Sequence, residues 1–368
     1  MRVLLVGEQL RRRVPGGIGT YVRGLLLGTA QLEPAGPAGP AGPAGCRTEV
    51  TLWASRGPDP DPLAGAAHAL LTSRLPGPLL TRAWDRGLCA APPGFSVVHA
   101  PSLAAPPGRG RAQLAVTVHD LAWRRLPWAY PGRGRRWHEA ALGRALRRAS
   151  LFVVPSRPVA DELVAAGAVP SRVEVVEEGS DHLPAPDEPS AAALLEGLGV
   201  RGPYLLAVGT LEPRKNMDRL LAAYALARPR LAHTWPIVVV GPRGWGRTAR
   251  AVEGAVPTGP VTGPVLSALY AGARCLAYVP LLEGFGLPAL EAMRAGTPVL
   301  ASPMPSTAGA ALEVDPTDVE AIADGLVVAA GDDAARDELV ARGRERAAGL
   351  TWRGTARRHV ELWGSVSA

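Results

Sequence analysis

The stretch Gly209-Thr-Leu-Glu-Pro-Arg-Lys-Asn-Met217 contains the only lysine and the only asparagine of the chain. Every other one of the 40 Lys and Arg residues is arginine, in a sequence crowded with Ala, Gly and Pro that points to GC-driven codon usage. Lys215-Asn216 therefore reads as a pair that chemistry has retained, against the bland alternative of chance survival on a surface. Arg214 and Lys215 stand between an apolar run and a helical pattern for which Asn216 is a suitable N-cap. Two cations and unpaired helix N–H groups would converge there on one anion, most naturally a pyrophosphate.

A second stretch, Leu282-Glu-Gly-Phe-Gly-Leu-Pro-Ala-Leu-Glu-Ala-Met-Arg-Ala-Gly296, carries Glu283 and Glu291 with seven residues between them. Pro288 suits a first helical turn and Gly296 an αL stop, so Glu283 falls in the loop and Glu291 in the first turns of the helix. Gly284 and Gly286 would offer backbone N–H groups between the two acids. Such an arrangement suits a sugar nucleotide, with one acid for sugar hydroxyls and one for ribose hydroxyls. Phe285 is one of only three phenylalanines, which makes its place between two glycines informative.

Two further loops contribute. In Val14-Pro-Gly-Gly-Ile-Gly-Thr20, residues Gly16, Gly17 and Gly19 let the backbone approach an anion at a helix N-terminus. The loop is not a G-x-G-x-x-G dinucleotide fingerprint. His119 closes the run Val116-Thr-Val-His-Asp120, either as a structural histidine or as a hydrogen-bonding partner for a sugar hydroxyl or phosphate.

These residues need sheets to position them. Apolar runs at 2–6, 50–53, 96–99, 114–118, 151–154 and 173–176 form one set of expected strands, and those at 204–208, 237–240, 275–279 and 299–301 a second. Continuous apolar strands alternating with helical patterns predict parallel sheets covered on both faces. In the first helix Ile18, Tyr21, Val22, Leu25, Leu26 and Leu32 share a face. The acidic, Pro-rich stretch at 178–190 reads as a linker. The expected N-terminal domain covers 1–181, the C-terminal one 182–349, and a helix at about 350–368, capped by Thr351, crosses back to the first. Two doubly wound domains would bring the carboxyl ends of their strands to one cleft, where ligands bind. The Pro-Ala-Gly repeat at 34–45 reads as a surface loop.

Composition narrows the class. With 368 residues and 47% hydrophobic content the chain fits two domains, and a net charge of +7 suits phosphate-bearing or anionic partners. Cys46, Cys89 and Cys275 have no metal-ligand spacing and fit a reducing compartment. No run of about 20 residues is apolar enough to span a bilayer, and the opening MRVLLVG is too short for a signal peptide. The expectation is a cytoplasmic protein. The basic run Gly132-Arg-Gly-Arg-Arg-Trp-His138, continued by Arg144, Arg147 and Arg148 near Trp123, Trp128 and Trp137, is either a solvated face or a docking surface for an anionic inner membrane. No recognition module for nucleic acid accompanies it.

EGFGLPALE, preceded in order by PGGIGTY, TVHDLAW, VVPSRPVADEL, VEEGSDHL, GTLEPRKNMDRLL, VVVGPRGWG and LSALYAGA, resembles the retaining, metal-independent glycosyltransferases of the GT-B fold with their Glu-x7-Glu signature. The resemblance spans nearly the whole chain, and GTLEPRKN with HDLAW is most similar to bacterial mannosyltransferases of O-antigen-type polysaccharide. It implies an α/β protein with two Rossmann-like domains facing a cleft. It also implies GDP-mannose as donor, a glycan or lipid-linked acceptor, and neither cofactor nor metal. Arg214 and Lys215 match the basic pair on the donor diphosphate, Glu291 the ribose acid and Glu283 the acid at the donor sugar. Phe285, Gly286 and Leu287 match backbone contacts nearby, His119 the histidine beside the donor sugar, and Gly16 and Gly17 the loop under the diphosphate.

Three departures stand out. Val261-Thr-Gly-Pro264 takes the place of a fuller strand and loop, the segment 302–309 looks short, and Glu178 replaces the usual asparagine before the linker glycine. They leave room for a catalytically impaired binding or scaffold protein, or another GT-B enzyme such as an epimerase. Asp59-Pro-Asp61 has the letters of a metal-binding D-x-D motif but lies in a proline-rich loop without a preceding apolar strand.

Overall fold

Within each of two sheets, every strand runs parallel to its neighbours. The computed structural model describes residues 1–32, 48–108, 110–231, 233–244 and 251–367, so the repeat at 34–45 and Cys46 lie outside the described residues. The chain divides into one unit of residues 1–182 and 351–368 and another of residues 183–350.

The first unit holds β1 (Arg2–Val6), β2 (Glu49–Ser55), β3 (Ala69–Ser73), β4 (Val97–Ala100), β5 (Gln113–Thr117), β6 (Leu151–Val154) and β7 (Val173–Val175), in the spatial order β3-β2-β1-β4-β5-β6-β7. The order reverses between β1 and β4, which makes their carboxyl ends the switch point where such sheets leave a crevice. Helix Gly16–Leu32 packs against the C-terminal helix Trp352–Ser367, as two glycines show. A methyl group on Gly24 would stand 2.1 Å from the Trp352 indole, and one on Gly28 2.0 Å from the Trp352 carbonyl. The C-terminal helix is started by Thr351, whose hydroxyl accepts from the Gly354 N–H, and by Asp181, whose carboxylate accepts from the Trp352 N–H.

A buried hydrogen-bond chain ties that helix to the sheet. His359 Nδ1 lies 2.8 Å from the Thr355 carbonyl, an acceptor only, so this nitrogen carries the proton and Nε2 accepts from the Tyr21 hydroxyl at 2.7 Å. Tyr21 then accepts from Thr117, Thr117 accepts from His99 Nε2, and His99 Nδ1 accepts from the Trp363 indole N–H. Both histidines are neutral in this arrangement. Burial pushes His359 down to about 4, and burial with the neighbouring His359 and His119 holds His99 well below the usual histidine value.

The second unit holds β8 (Leu205–Val208), β9 (Ile237–Val240), β10 (Ala255–Gly259), β11 (Cys275–Tyr278), β12 (Val299–Ala301) and β13 (Leu312–Glu313), in the order β10-β9-β8-β11-β12-β13. Its switch point lies between β8 and β11. Leu205, Ala207, Ile237, Cys275, Ala277 and Leu300 are buried in one core with helix Met217–Ala227 and helix Val319–Gly331.

One expectation needs correction. β3, β10 and β13 escaped the sequence reading, and all three are sheet edges, where a strand lacks a continuous apolar run. β10 carries Pro257, tolerated because an edge strand need not donate on both sides. The strand ahead of Val261-Thr-Gly-Pro264 is β10, just upstream of helix Gly263–Gly272. The boundary between the units, at 182/183, falls within the expected linker, whose first residues Glu178, Gly179 and Ser180 are buried, and a methyl group on Gly179 would stand 2.2 Å from the Trp352 nitrogen.

Candidate active site

Arg214 and Lys215 end the short 3-10 turn Pro213–Lys215 that follows β8. Asn216 comes next with φ +60°, a left-handed conformation that asparagine tolerates better than most residues. It stands at the N-cap position of helix Met217–Ala227 but makes no capping bond. Its amide instead donates to the carbonyls of Val279, at 3.0 Å, and Pro316, at 2.7 Å, while its oxygen accepts from Arg219. The expected cap is therefore corrected: Asn216 is a buried cross-tie from the β8 loop to the end of β11.

That tie brings the cations to Glu283. Lys215 Nζ lies 2.5 Å from Glu283 Oε1 and 2.8 Å from the Tyr278 hydroxyl, which itself donates to Glu283 Oε1 at 2.9 Å. Arg214 Nη1 is 3.0 Å from the same carboxylate oxygen, and its Nη2 donates to Glu212 at 3.0 Å. Burial works against charge on Glu283, but Arg214 and Lys215 overcome it and hold the carboxyl at about 2. Burial raises Glu212 despite the same two cations, and Glu283 adds to the rise. Two cations and two carboxylates thus share a nearly dry pocket, with side chains between 7% and 14% exposed.

The Glu283 loop is braced from behind. Gly286 sits at φ +107° and opens helix Leu287–Ala295, and a methyl group there would stand 2.3 Å from Met304 Sδ. Ser306 donates from its N–H to the Phe285 carbonyl and from its hydroxyl to the Gly286 carbonyl. The Phe285 side chain is buried and anchors the loop. Leu287 is the first helical residue, whose backbone N–H has no acceptor within the helix. Pro288 is in the first turn and Gly296 closes the helix at φ +79°, as the spacing predicts. Glu291 is buried in this helix and accepts from the Tyr270 hydroxyl at 2.8 Å. Sequence reasoning passed over Tyr278, Tyr270, Glu212 and Ser306, whose partners become adjacent only once the sheet forms.

The remaining candidates lie in the first unit. Gly16 and Gly17 form the exposed first turn of helix Gly16–Leu32, with open space where side chains would be. Gly19 is different: a methyl group there would strike Pro15, so its smallness serves packing. His119 follows β5 and lines a pocket of about 330 Å³ with Gln9, Arg12, Asp120, Trp123 and His138. Its Nδ1 is 3.1 Å from Glu178 Oε1 and its Nε2 3.0 Å from the Pro101 carbonyl. Asp61, of the rejected D-x-D letters, is paired with Arg11 on both oxygens.

Residues 44–182 match the family described as Glycosyltransferase Family 4, and residues 202–335 match Glycosyl transferases group 1. The chain is 33% identical over 272 residues to O-antigen chain mannosyltransferase B of Escherichia coli, covering 70% of this chain and 71% of that one. It is 34% identical over 229 residues to D-inositol 3-phosphate glycosyltransferase of Salinispora arenicola, spanning 55% of this chain and about half, 51%, of that protein. Among solved structures, Anabaena HepE in complex with UDP and glucose superposes with a TM-score of 0.69 at 17% identity, covering 99% of this chain and 100% of that one.

Proposed function

The chain belongs to the group 1 and family 4 glycosyltransferases of the GT-B fold, and on that premise we propose that it transfers mannose from GDP-mannose to a glycan or lipid-linked acceptor, with retention of anomeric configuration and without a metal. The observation that carries this reading is the joining of Arg214, Lys215 and Glu283 at the switch point between β8 and β11.

The step that needs help is departure of the diphosphate, which gains negative charge as the sugar bond breaks. Arg214 and Lys215 meet that charge in a site with little water, where fixed cations act far more strongly than in solution. The Leu287 N–H, at the start of helix Leu287–Ala295, adds the positive end of a helix dipole. Glu283 holds the donor sugar and Glu291 the ribose, while Gly286 and Leu287 present backbone to the donor. Gly16 and Gly17 pass beneath the diphosphate, and His119 stands by the transferred sugar. Support for mannose comes from the O-antigen mannosyltransferase relative, and the UDP complex of HepE makes UDP-sugars the natural competitors.

Release of nucleoside diphosphate from a panel of GDP- and UDP-sugars, with EDTA present, tests the reading. GDP-mannose is expected to turn over in EDTA. Activity that EDTA abolishes and Mn²⁺ restores would count against the mechanism.

A further inference from the structure

His119 is held by a carboxylate and a backbone carbonyl, both hydrogen-bond acceptors. Glu178 Oε1 faces its Nδ1 at 3.1 Å and the Pro101 carbonyl faces its Nε2 at 3.0 Å. A neutral imidazole carries one N–H and would leave one of these contacts as two lone pairs pointing at each other. With Glu178 ionised, satisfying both requires an N–H on each nitrogen.

We infer that Glu178 is a positioning residue that, together with the Pro101 carbonyl, holds His119 as a doubly protonated imidazolium, so that His119 offers the pocket a fixed positive charge and no basic lone pair. This rests on the transferase reading only for its catalytic consequence. His119 is then not a proton acceptor in sugar transfer. It is a fixed cation of the first unit, suited to a reaction that builds negative charge on a leaving diphosphate.

The surroundings agree. The Glu178 side chain is 4% exposed and that of His119 20%, so their attraction is little screened. Asp120 is the next residue and adds a second negative neighbour. Arg12 and His138 line the same pocket, and the Arg12 guanidinium is a like charge that works against the imidazolium. Behind the ring, Tyr21 stands edge-on at 4.9 Å with its own proton committed to His359, and His99 is neutral. Burial opposes the charge on His119, yet Glu178 raises it above the ordinary histidine range. Around Tyr21, His99 and His359 are thus neutral because each must accept a hydrogen bond, whereas His119 stands outside that chain between two acceptors.

The experiment combines NMR of ¹⁵N-histidine-labelled protein, with His119 assigned through His119→Gln, and pH–rate profiles of wild type, Glu178→Gln and Glu178→Asn. In the wild type both His119 nitrogens are expected to be protonated at pH 7. Either substitution should lower the His119 pKa. Turnover of the variants should then fall about tenfold at pH 8 and recover toward wild type at pH 6, where His119 is protonated again. A merely structural role for Glu178 would not produce recovery at low pH. A neutral His119 in the wild type overturns the inference. So does an unchanged pKa in both variants with native unfolding profiles, or pH–rate profiles that stay parallel. A wild type that transfers no sugar while His119 titrates as described would overturn the transferase reading and leave the imidazolium standing.

Discussion

At the scale of single residues, the rarest letters proved the most informative, and for separable reasons. Lys215 was legible because one lysine among arginines demands an explanation, and its ammonium does bridge Glu283 and Tyr278. Its stem also packs over Gly209, where a methyl group would stand 3.7 Å from Lys215 Cδ. Asn216 was legible as special but not for the right cause, since N-cap patterns look the same whichever sign φ takes. Glu178 drew notice as an odd letter, yet its partner lies 59 residues away, so no spacing rule could pair them. Lys215→Ala should lower turnover about 10- to 100-fold by removing a charge-assisted contact, and Lys215→Arg should also be harmful, because a planar fork does not fit where a compact ammonium meets both Glu283 and Tyr278. Lys215→Ala should also lower the unfolding temperature, because it strips a nearly buried carboxylate of one of its two cations, and a wild-type Lys215→Arg would dissolve the argument from rarity. Glu291→Gln and Glu283→Gln should part company in kinetics: weaker donor binding for the first, lower turnover for the second. Donor titrations alongside turnover would expose identical behaviour.

At the scale of elements, the buried strands of both sheets could be read from continuous apolar runs, while β3, β10 and β13 could not, because edge strands need no such run. Helix packing was half legible. The apolar face of helix Gly16–Leu32 was apparent, but Gly24 and Gly28, which admit the C-terminal helix, left no apolar signal. Gly28→Ala should cost about 1–3 kcal/mol through overpacking against backbone. Asn216→Ala should cost about 2–4 kcal/mol from two lost hydrogen bonds and an αL conformation that alanine resists; chemical denaturation measures both. The His99–Thr117–Tyr21–His359 chain adds a pH dependence. His359 stands at about 4 when folded against an ordinary 6.5, so the unfolded chain binds the extra proton first. The stability it supplies is complete above pH 6.5 and is lost as pH falls through 4. Unfolding temperature should drop across that window, and the drop should be shallower in His359→Gln. Equal slopes would remove His359 from the account.

At the scale of the whole molecule, two parallel α/β units and the family itself were visible because motifs at strand ends recur in a fixed order along nearly the entire chain. Charge was less decisive. Of the aromatic residues near the basic helix Gly132–Arg148, Trp123 and Trp137 donate to Glu139 and Asp85, and only Trp128 among the three is strongly exposed, at 64%. Arg144 is paired with Asp85, whereas Arg133, Arg135 and Arg136 are exposed. If this face docks on an anionic membrane near a lipid-linked acceptor, flotation with anionic liposomes should recover the protein at low salt and lose it on replacing those three arginines. No flotation at low salt would leave an ordinary solvated face.

The most direct test of the central claim is the anomeric proton spectrum of the first product formed in EDTA from the donor that turns over, compared between wild type and Lys215→Ala. The account expects a product with the donor's α configuration, formed without metal by the wild type and about 10- to 100-fold more slowly by the variant. A product of inverted configuration, or equal rates for the two proteins, would contradict it.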